Sequence, residues 1–343
     1  MPISIGVSFP ESIVPGTPLP DIAGLAGLAE QAGLDGVWVG DRLATGELSV
    51  LDSGLTLAVA AAVTSSIAVG YAIFVPSLRP LAWAAKQVAT LQHIAGGRLQ
   101  LGVAIGGGGD AEYLAAGFRR SDRTSRTDEF LALLPGILAG QPLPDGSGAS
   151  GGDAIRLRPA VPVPPLWVGG TSLPALRRSV RFGDGWLSGL QTPREFAASR
   201  QRLFELSDEA GRPRPLTGIG LHAAIGTGAD RDLAEMSAGM MQSMYGVPAD
   251  RAREVAIAGT PAQVASQLAP YAEAGADLIV VVCDPAPSPK SWELLADVRL
   301  LLTPPGRMRP RPAGDRGRPG ETLLWLQRGR SSACRGACAT RGG

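Results

Sequence analysis

The stretch LWVGGTSLPALRR, residues 166–178, opens with a short apolar run, breaks at two glycines and two hydroxyl residues, and turns helical from Leu173 onward. Those are the parts of a strand-to-helix junction: an apolar run of strand length, a permissive backbone, Ser172 as N-cap and a proline in the first turn. The same grammar recurs along the chain. Apolar, β-rich runs fall at Ile3–Phe9, Gly36–Asp41, Ile67–Val75, Leu99–Ile105, Pro165–Val168, Gly185–Leu187, Gly218–Ile225 and Leu278–Val282. Helical spacing appears between them at Asp21–Ala32, Pro80–Ile94, Arg126–Leu138, Ser172–Phe182, Pro193–Ala210, Pro261–Ala274 and Ser288–Leu301. Runs such as LIVVV at 278–282 lack polar alternation, as strands covered on both faces do. About eight such units favour a closed parallel barrel over an open sheet, so the expected fold is α/β, a (β/α)8 TIM barrel.

Bulk composition agrees. A chain of 343 residues with 45% hydrophobic content can bury one large core. Its net charge of +1 argues against a nucleic-acid-binding role. The basic excess is concentrated after Thr303, where residues 304–343 are rich in Arg, Pro and Gly, and this segment is expected to be a disordered tail behind a barrel domain of residues 1–303. Cys283, Cys334 and Cys338 offer neither a disulfide framework nor zinc spacing. The N-terminal MPISIGVSFPESIVPG lacks a basic start and a long apolar segment, so a cytoplasmic protein without a membrane anchor is expected. Two segments break the rhythm: Gln141–Pro164, rich in Gly, Pro and Ser, and Thr227–Gly259, with its Met-rich piece MSAGMMQSMYG. Both are expected as excursions over a barrel end, with the methionines packed as core.

In a barrel of this kind the chemistry gathers where strands end. Gly169, Gly170, Thr171 and Ser172 follow the fifth strand and read two ways, as an anion cradle at a helix N-terminus or as a tight turn with an N-cap. The four glycines of LGVAIGGGGDAEYLAAGF, which include Gly106 and Gly107, read as close backbone approach to a flat ligand or as a tolerant loop. Asp41 and Arg42 end the second strand, either holding a polar ring edge or forming a rim ion pair. His93 reads as structural and His222 as a satisfied core or lumen histidine. No Ser-His-Asp order, metal cluster or carboxylate pair emerges. So few acid–base groups suggest that a cofactor supplies the hard chemistry.

Four long blocks, AEQAGLDGVWVGDR, TSSIAVGYAIFVPSLRPLAWAAKQVATLQHIAGGRLQLGVAIG, PPLWVGGTSLPALRRSVRFGDGWL and GTPAQVASQLAPYAEAGADLIVVV, run in order from about Ile3 to Leu302 and resemble the bacterial luciferase-like flavin- and deazaflavin-dependent oxidoreductases. The resemblance implies a (β/α)8 barrel with a flavin at its C-terminal mouth. It places Asp41 and Arg42 at the isoalloxazine edge, Ala72 and Ile73 at a non-prolyl cis peptide backing the ring, Gly106 and Gly107 beside the ring, and Gly169, Gly170, Thr171 and Ser172 around the cofactor phosphate. It also implies a homodimer packed through outer helices.

Two departures are visible. Members with a catalytic histidine just after the second strand's Asp carry it where this chain has Arg42, and an acidic residue that some deazaflavin members carry after the fourth strand is glycine here. Both disfavour a sugar-phosphate dehydrogenase. The expectation is therefore an enzyme using reduced FMN, supplied by a separate flavin reductase, to monooxygenate a small organic substrate. The alternative is a deazaflavin (coenzyme F420) hydride-transfer enzyme, and the third reading is a flavin-binding barrel without turnover. Asp110–Phe118 and Thr227–Gly259 are the expected closing segments. Arg79, Arg177 and Arg178 are read either as partners of an acidic cofactor tail or as solvated surface arginines.

Overall fold

An all-parallel sheet that closes on itself leaves a tube, and packing requires that tube to be filled by side chains. The computed structural model describes residues 3–303 other than 11, 12, 14, 15, 17, 45, 145–154, 229–231 and 285–287, so the tail expected to be disordered lies outside the described residues. Among the described residues there are nine strands: β1 (Ser4–Ser8), β2 (Gly36–Val39), β3 (Ala68–Phe74), β4 (Leu99–Val103), β5 (Leu166–Gly169), β6 (Gly185–Gly189), β7 (Leu216–Ile225), β8 (Ile257–Gly259) and β9 (Leu278–Cys283). The order β6-β5-β4-β3-β2-β1-β9-β7 closes through β6–β7 pairing, giving an eight-stranded parallel barrel. The short β8 stands outside the closure and pairs only with the end of β7, at Ala223–Ile225.

The helices are α1 (Ile22–Gln31), α2 (Ser53–Val63), α3 (Leu81–Ile94), α4 (Asp110–Ala115), α5 (Arg123–Leu138), α6 (Leu173–Phe182), α7 (Pro193–Glu209), α8 (Leu233–Tyr245), α9 (Ala249–Val255), α10 (Pro261–Glu273) and α11 (Pro289–Leu302). Caps fix where several begin. Thr192 and Thr260 form capping boxes with Glu195 and Gln263, and each is followed by proline. The sequence reading omitted α2. Its SGLTLAVAAAV is apolar on all sides, which erases the helical stripe, although Asp52 caps it by accepting the Leu55 N–H at 2.8 Å.

Of the two excursions, 227–259 holds α8, α9 and β8 and lies at the C-terminal mouth, because it leaves the end of β7. The segment 141–164 instead joins the C-terminal end of α5 to the start of β5. Helices return against the strand direction, so its described residues, 141–144 and 155–164, lie at the opposite end, where the Pro162 carbonyl accepts from Gln92. That opposite end is tied by a repeated device. Asp35, Asp184 and Asp277 each precede a strand, and each accepts the backbone N–H of a neighbouring strand, from Ile5, Leu166 and Thr217 at 2.8–3.0 Å.

The tube itself is filled by indoles. Trp38 from β2 and Trp167 from β5 form an interior cluster with Leu187, Leu216, Leu278 and Val280, against which Ala72 and Ile73 pack. Both tryptophans are 2% exposed. Room for them exists because facing positions carry no side chain: a Cβ on Gly6 or Gly70 would overlap Trp38, and one on Gly185 would overlap Trp167. Trp167 donates its indole N–H to Gln100 at 2.9 Å. On the mouth side of these indoles the barrel holds open cavities. Replacing Gly70 by Ala is therefore expected to destabilise the fold by about 1–3 kcal/mol through overpacking, read as a lowered urea midpoint, while Gly27→Ala on exposed α1, where a Cβ meets nothing within 4 Å, should not.

Candidate active site

Above the indole plug the barrel mouth holds two adjoining compartments of about 240 Å³ each, which share Ala72, Ile73 and Tyr245. Together they reach the size of ordinary small-molecule sites, roughly 300–1,000 Å³. The first is walled by Asp41 and Arg42 after β2 and by Gly106 and Gly107 after β4. Gly169 and Gly170 at the end of β5 wall the second, with Gly189, Gly220, His222 and Val282 across from them. Eight of the ten residues singled out in the sequence thus line one continuous space, with the Ala72–Ile73 peptide, which is cis, at its centre. Thr171 and Ser172 do not line it. They are exposed on the chain just beyond Gly170.

Each loop is held in place by its own chemistry. The Asp41 carboxylate, 6% exposed, accepts from both Nη atoms of Arg79 at 2.7 and 2.9 Å, from Ser53 Oγ at 2.7 Å and from the Val75 N–H at 2.9 Å. With its acceptor positions occupied, Asp41 braces the loops after β2 and β3 and is not available to hold a ring edge by itself. Burial works against the Arg79 charge and the Asp41 carboxylate more than offsets it, so the guanidinium pKa lies above its ordinary value. Arg79 also sits 4.6 Å over the Phe74 ring. It is thus an internal strut, not an arginine offered to a ligand.

The glycine loop after β4 is ordered by contacts at both ends. Tyr113 donates to the Ile105 carbonyl at 2.8 Å, and Arg120 donates to that of Gly108 at 2.8 Å. Gly106 has φ +79°, and a Cβ there would stand 2.6 Å from the Tyr113 hydroxyl and 2.7 Å from Val75. Glycine is required at 106 on both counts. Gly107 and Gly109, by contrast, face open space. Glu112 on α4 accepts the Leu43 N–H at 2.8 Å, joining this loop to the one after β2.

At the β5–α6 junction the tight turn with its N-cap is observed. Ser172 Oγ accepts from the Ala175 N–H at 3.4 Å as the N-cap of α6, which leaves its own proton free to donate. Gly170, at φ +114°, turns the chain there, and its carbonyl accepts from Trp186 at 2.7 Å. Arg178 is buried and paired with Asp128, while Arg177 faces an outer groove between α6 and α7.

The sequence reading missed the polar cluster at the far wall. His222 on β7 is 3% exposed and its Nδ1 lies 3.1 Å from both oxygens of Asp284, the residue that follows β9. Its Nε2 lies 3.1 Å from the Tyr245 hydroxyl at the end of α8, and Ser237 donates to Asp284 at 2.7 Å. Strand register would have found the pair, since His222 stands opposite Val282 and Asp284 comes two residues later. Next to it, burial and then Asp284 push the Cys283 thiol up to about 12, so it stays protonated and unreactive at neutral pH. Among the described residues no group of His, Cys, Asp and Glu could hold a metal.

The family model for luciferase-like monooxygenases matches residues 3–245. A 5,10-methylenetetrahydromethanopterin reductase of Methanolobus tindarius is 30% identical over 234 residues, 68% of each chain. An F420-dependent glucose-6-phosphate dehydrogenase of Beutenbergia cavernae is 35% identical over 176 residues, 49% of this chain and about half (52%) of that one. Two solved structures share the fold. One is an F420-dependent secondary alcohol dehydrogenase in complex with an F420-acetone adduct, with TM-score 0.73, 18% identity, and 87% of this chain matched to 98% of that one. The other is the oxygenating constituent of 3,6-diketocamphane monooxygenase of Pseudomonas putida in complex with FMN, with TM-score 0.68, 19% identity, and 86% matched to 97%.

Removing the brace should loosen this mouth. Asp41→Asn leaves the Arg79 charge without its partner and is expected to cost about 3 kcal/mol, seen as a lower thermal midpoint, whereas Arg177→Ala on the outer groove should leave the midpoint unchanged.

Proposed function

Because this chain belongs to the luciferase-like monooxygenase family of oxidoreductases, we propose that its mouth holds a flavin-type tricyclic ring against Ala72 and Ile73 and serves hydride transfer with the deazaflavin coenzyme F420. The observation that carries the ring is the shared floor of the two compartments, bordered by glycines from the loop after β4, the ends of β5 and β6 and the interior of β7. A flat ligand needs close backbone approach from several sides, and side chains at these positions would occupy its space. A bound deazaflavin supplies a two-electron hydride equivalent and no oxygen activation. The protein contributes the floor, the braced loops, donors near Gly170 and Ser172 for a phosphate, and a polar far wall.

F420 is placed before FMN for two reasons, which reverses the order expected from the sequence. A relative matched over about half of the chain is named for F420, and the reductase matched over 68% is named for a reduction, not an oxygenation. The polar wall of Ser8, Ser188, His222 and Tyr245 also suits a substrate whose reacting carbon bears oxygen, such as a small ketone or secondary alcohol. Leu187, Leu190, Val280 and Val282 complete an apolar surround for its carbon skeleton. The second reading, an FMN monooxygenase fed by a separate reductase, rests on the same apolar surround and on the fold shared with the FMN-bound diketocamphane enzyme.

A homodimer belongs to this proposal too. The outward side chains of α2 are Leu55, Val59, Ala62 and Val63, no charged residue occurs in that helix, and Trp83 on neighbouring α3 is 70% exposed. Among the described residues no helix is long and apolar enough to cross a membrane.

Anaerobic titration separates the carriers: F420 is expected to bind at least tenfold tighter than FMN, and reduced F420 to be reoxidised by small ketones without oxygen. Tighter FMN binding with oxygen-dependent turnover would reverse that. In Gly220→Val, whose Cβ would meet only the Ser188 carbonyl, at an ordinary 3.8 Å, beside the cavity, ring binding should weaken at least tenfold with the thermal midpoint nearly unchanged.

A further inference from the structure

Transfer of a hydride to a carbonyl carbon needs a proton for the oxygen, and nothing in the floor or the glycine loops supplies one. The geometry points to Tyr245 and His222 as the proton path, with the Tyr245 hydroxyl as the donor at the substrate and His222 as the residue that recharges it. This rests on the hydride-transfer reading given above. Both side chains line the second compartment, and Tyr245 lines the first as well, so Tyr245 stands where the two meet and its hydroxyl is turned to His222 in the second.

The hydrogen-bond chain is fixed in direction at its Asp284 end. An ionised carboxylate only accepts, so Asp284 holds a proton on His222 Nδ1 and leaves Nε2 facing the Tyr245 oxygen. Asp284 is itself oriented by Ser237 Oγ and by its own N–H, which donates to the Ala223 carbonyl at 2.9 Å. When the imidazole is neutral, Nε2 accepts the tyrosine proton. When it is protonated, Nε2–H donates to the tyrosine oxygen, and the phenolic proton is directed away from the ring.

Reduction then balances as follows. The carbonyl carbon gains the hydride from the two-electron carrier, and the C=O π pair takes the Tyr245 proton. The Nε2 proton passes to the tyrosine oxygen, leaving neutral imidazole, which solvent reprotonates. Alcohol oxidation runs the same steps in reverse. The titratable and polar groups facing this chain are Asp284 at the end of β9, Ser237 from α8, and Arg42, whose guanidinium lies 5.7 Å from the Tyr245 ring centroid. The T-shaped packing of the His222 and Tyr245 rings, with centroids 5.4 Å apart, keeps the two in register.

The chain has two histidines, and His93 is exposed on α3, so His93→Gln leaves His222 as the single imidazole signal. Ring ¹⁵N spectra of the ligand-free protein should show His222 as the Nδ1–H tautomer when neutral, with an Nε2 shift that changes in Tyr245→Phe. An Nε2–H tautomer, or a ring indifferent to Tyr245→Phe, overturns the proposal whatever the cofactor proves to be. In turnover of reduced F420 with acetone, cyclohexanone or benzaldehyde, His222→Gln and Tyr245→Phe should each lower kcat by about 100-fold or more. F420 affinity and the KM for the ketone should stay within about threefold in both variants, so that the loss falls on kcat. Variants with near-wild-type kcat, or with the loss confined to KM, overturn the relay while leaving the hydride-transfer reading intact. Wild-type protein that binds no F420 overturns that reading, and the ring spectra still decide the geometry.

Discussion

The filling of the barrel by Trp38 and Trp167 is the constraint on which the rest of the molecule depends. Two indoles occupy the interior of an eight-stranded tube because glycines at 6, 70 and 185 make room for them. They close the tube from below and give Ala72 and Ile73 a surface to lie on. Were the interior filled by smaller side chains in regular layers up to the strand ends, the mouth would have no cavity. As it stands, the same packing that stabilises the barrel also defines the depth of the site, so core and function are not separable here.

From that floor the loops divide their labour. The Asp41–Arg79 pair is an internal brace: its partners are backbone and side chains of the loops after β2 and β3, and its hydrogen-bonding capacity is spent inside the protein. The glycine loop after β4 is tied down by Tyr113 and Arg120, leaving Gly107 turned to open space. Polar groups able to move a proton gather at the opposite wall, on β7, the end of β9 and α8. The side bordered by Gly106, Gly107, Gly169 and Gly170 thus consists mostly of backbone and small side chains, and the groups proposed for acid–base work lie across the cavity from it.

Much of this was legible in the chain itself. The eight barrel strands follow from unbroken apolar runs, and the convergence of Asp41, Gly106 and Gly169 follows from their places at strand ends, whereas Ala72, inside β3, is reached only through the family resemblance. What escaped did so for physical reasons. Helix α2 has no polar face to reveal its period. The strut role of Asp41 depends on Arg79, 38 residues away, and no local pattern announces that pairing. His222 and Asp284 are 62 residues apart and meet only because β7 and β9 are neighbours in a closed barrel. The aspartates before β2, β6 and β9, in contrast, form a repeated signal that a closer look at GLDGVWV, FGDGWLS and GADLIVV exposes.

The central claim is spatial: one tricyclic ring rests on the Ala72–Ile73 floor, with its reacting face turned toward His222 and Tyr245. A crystal structure of the protein soaked with oxidised F420 addresses it most directly. The account requires ring density over Ala72 and Ile73, between the Gly106–Gly107 loop and Gly169, with the phosphate near Ser172. Density with the ring seated in the outer α6–α7 groove beside Arg177 and Arg212, or with the mouth empty at saturating F420, would contradict it.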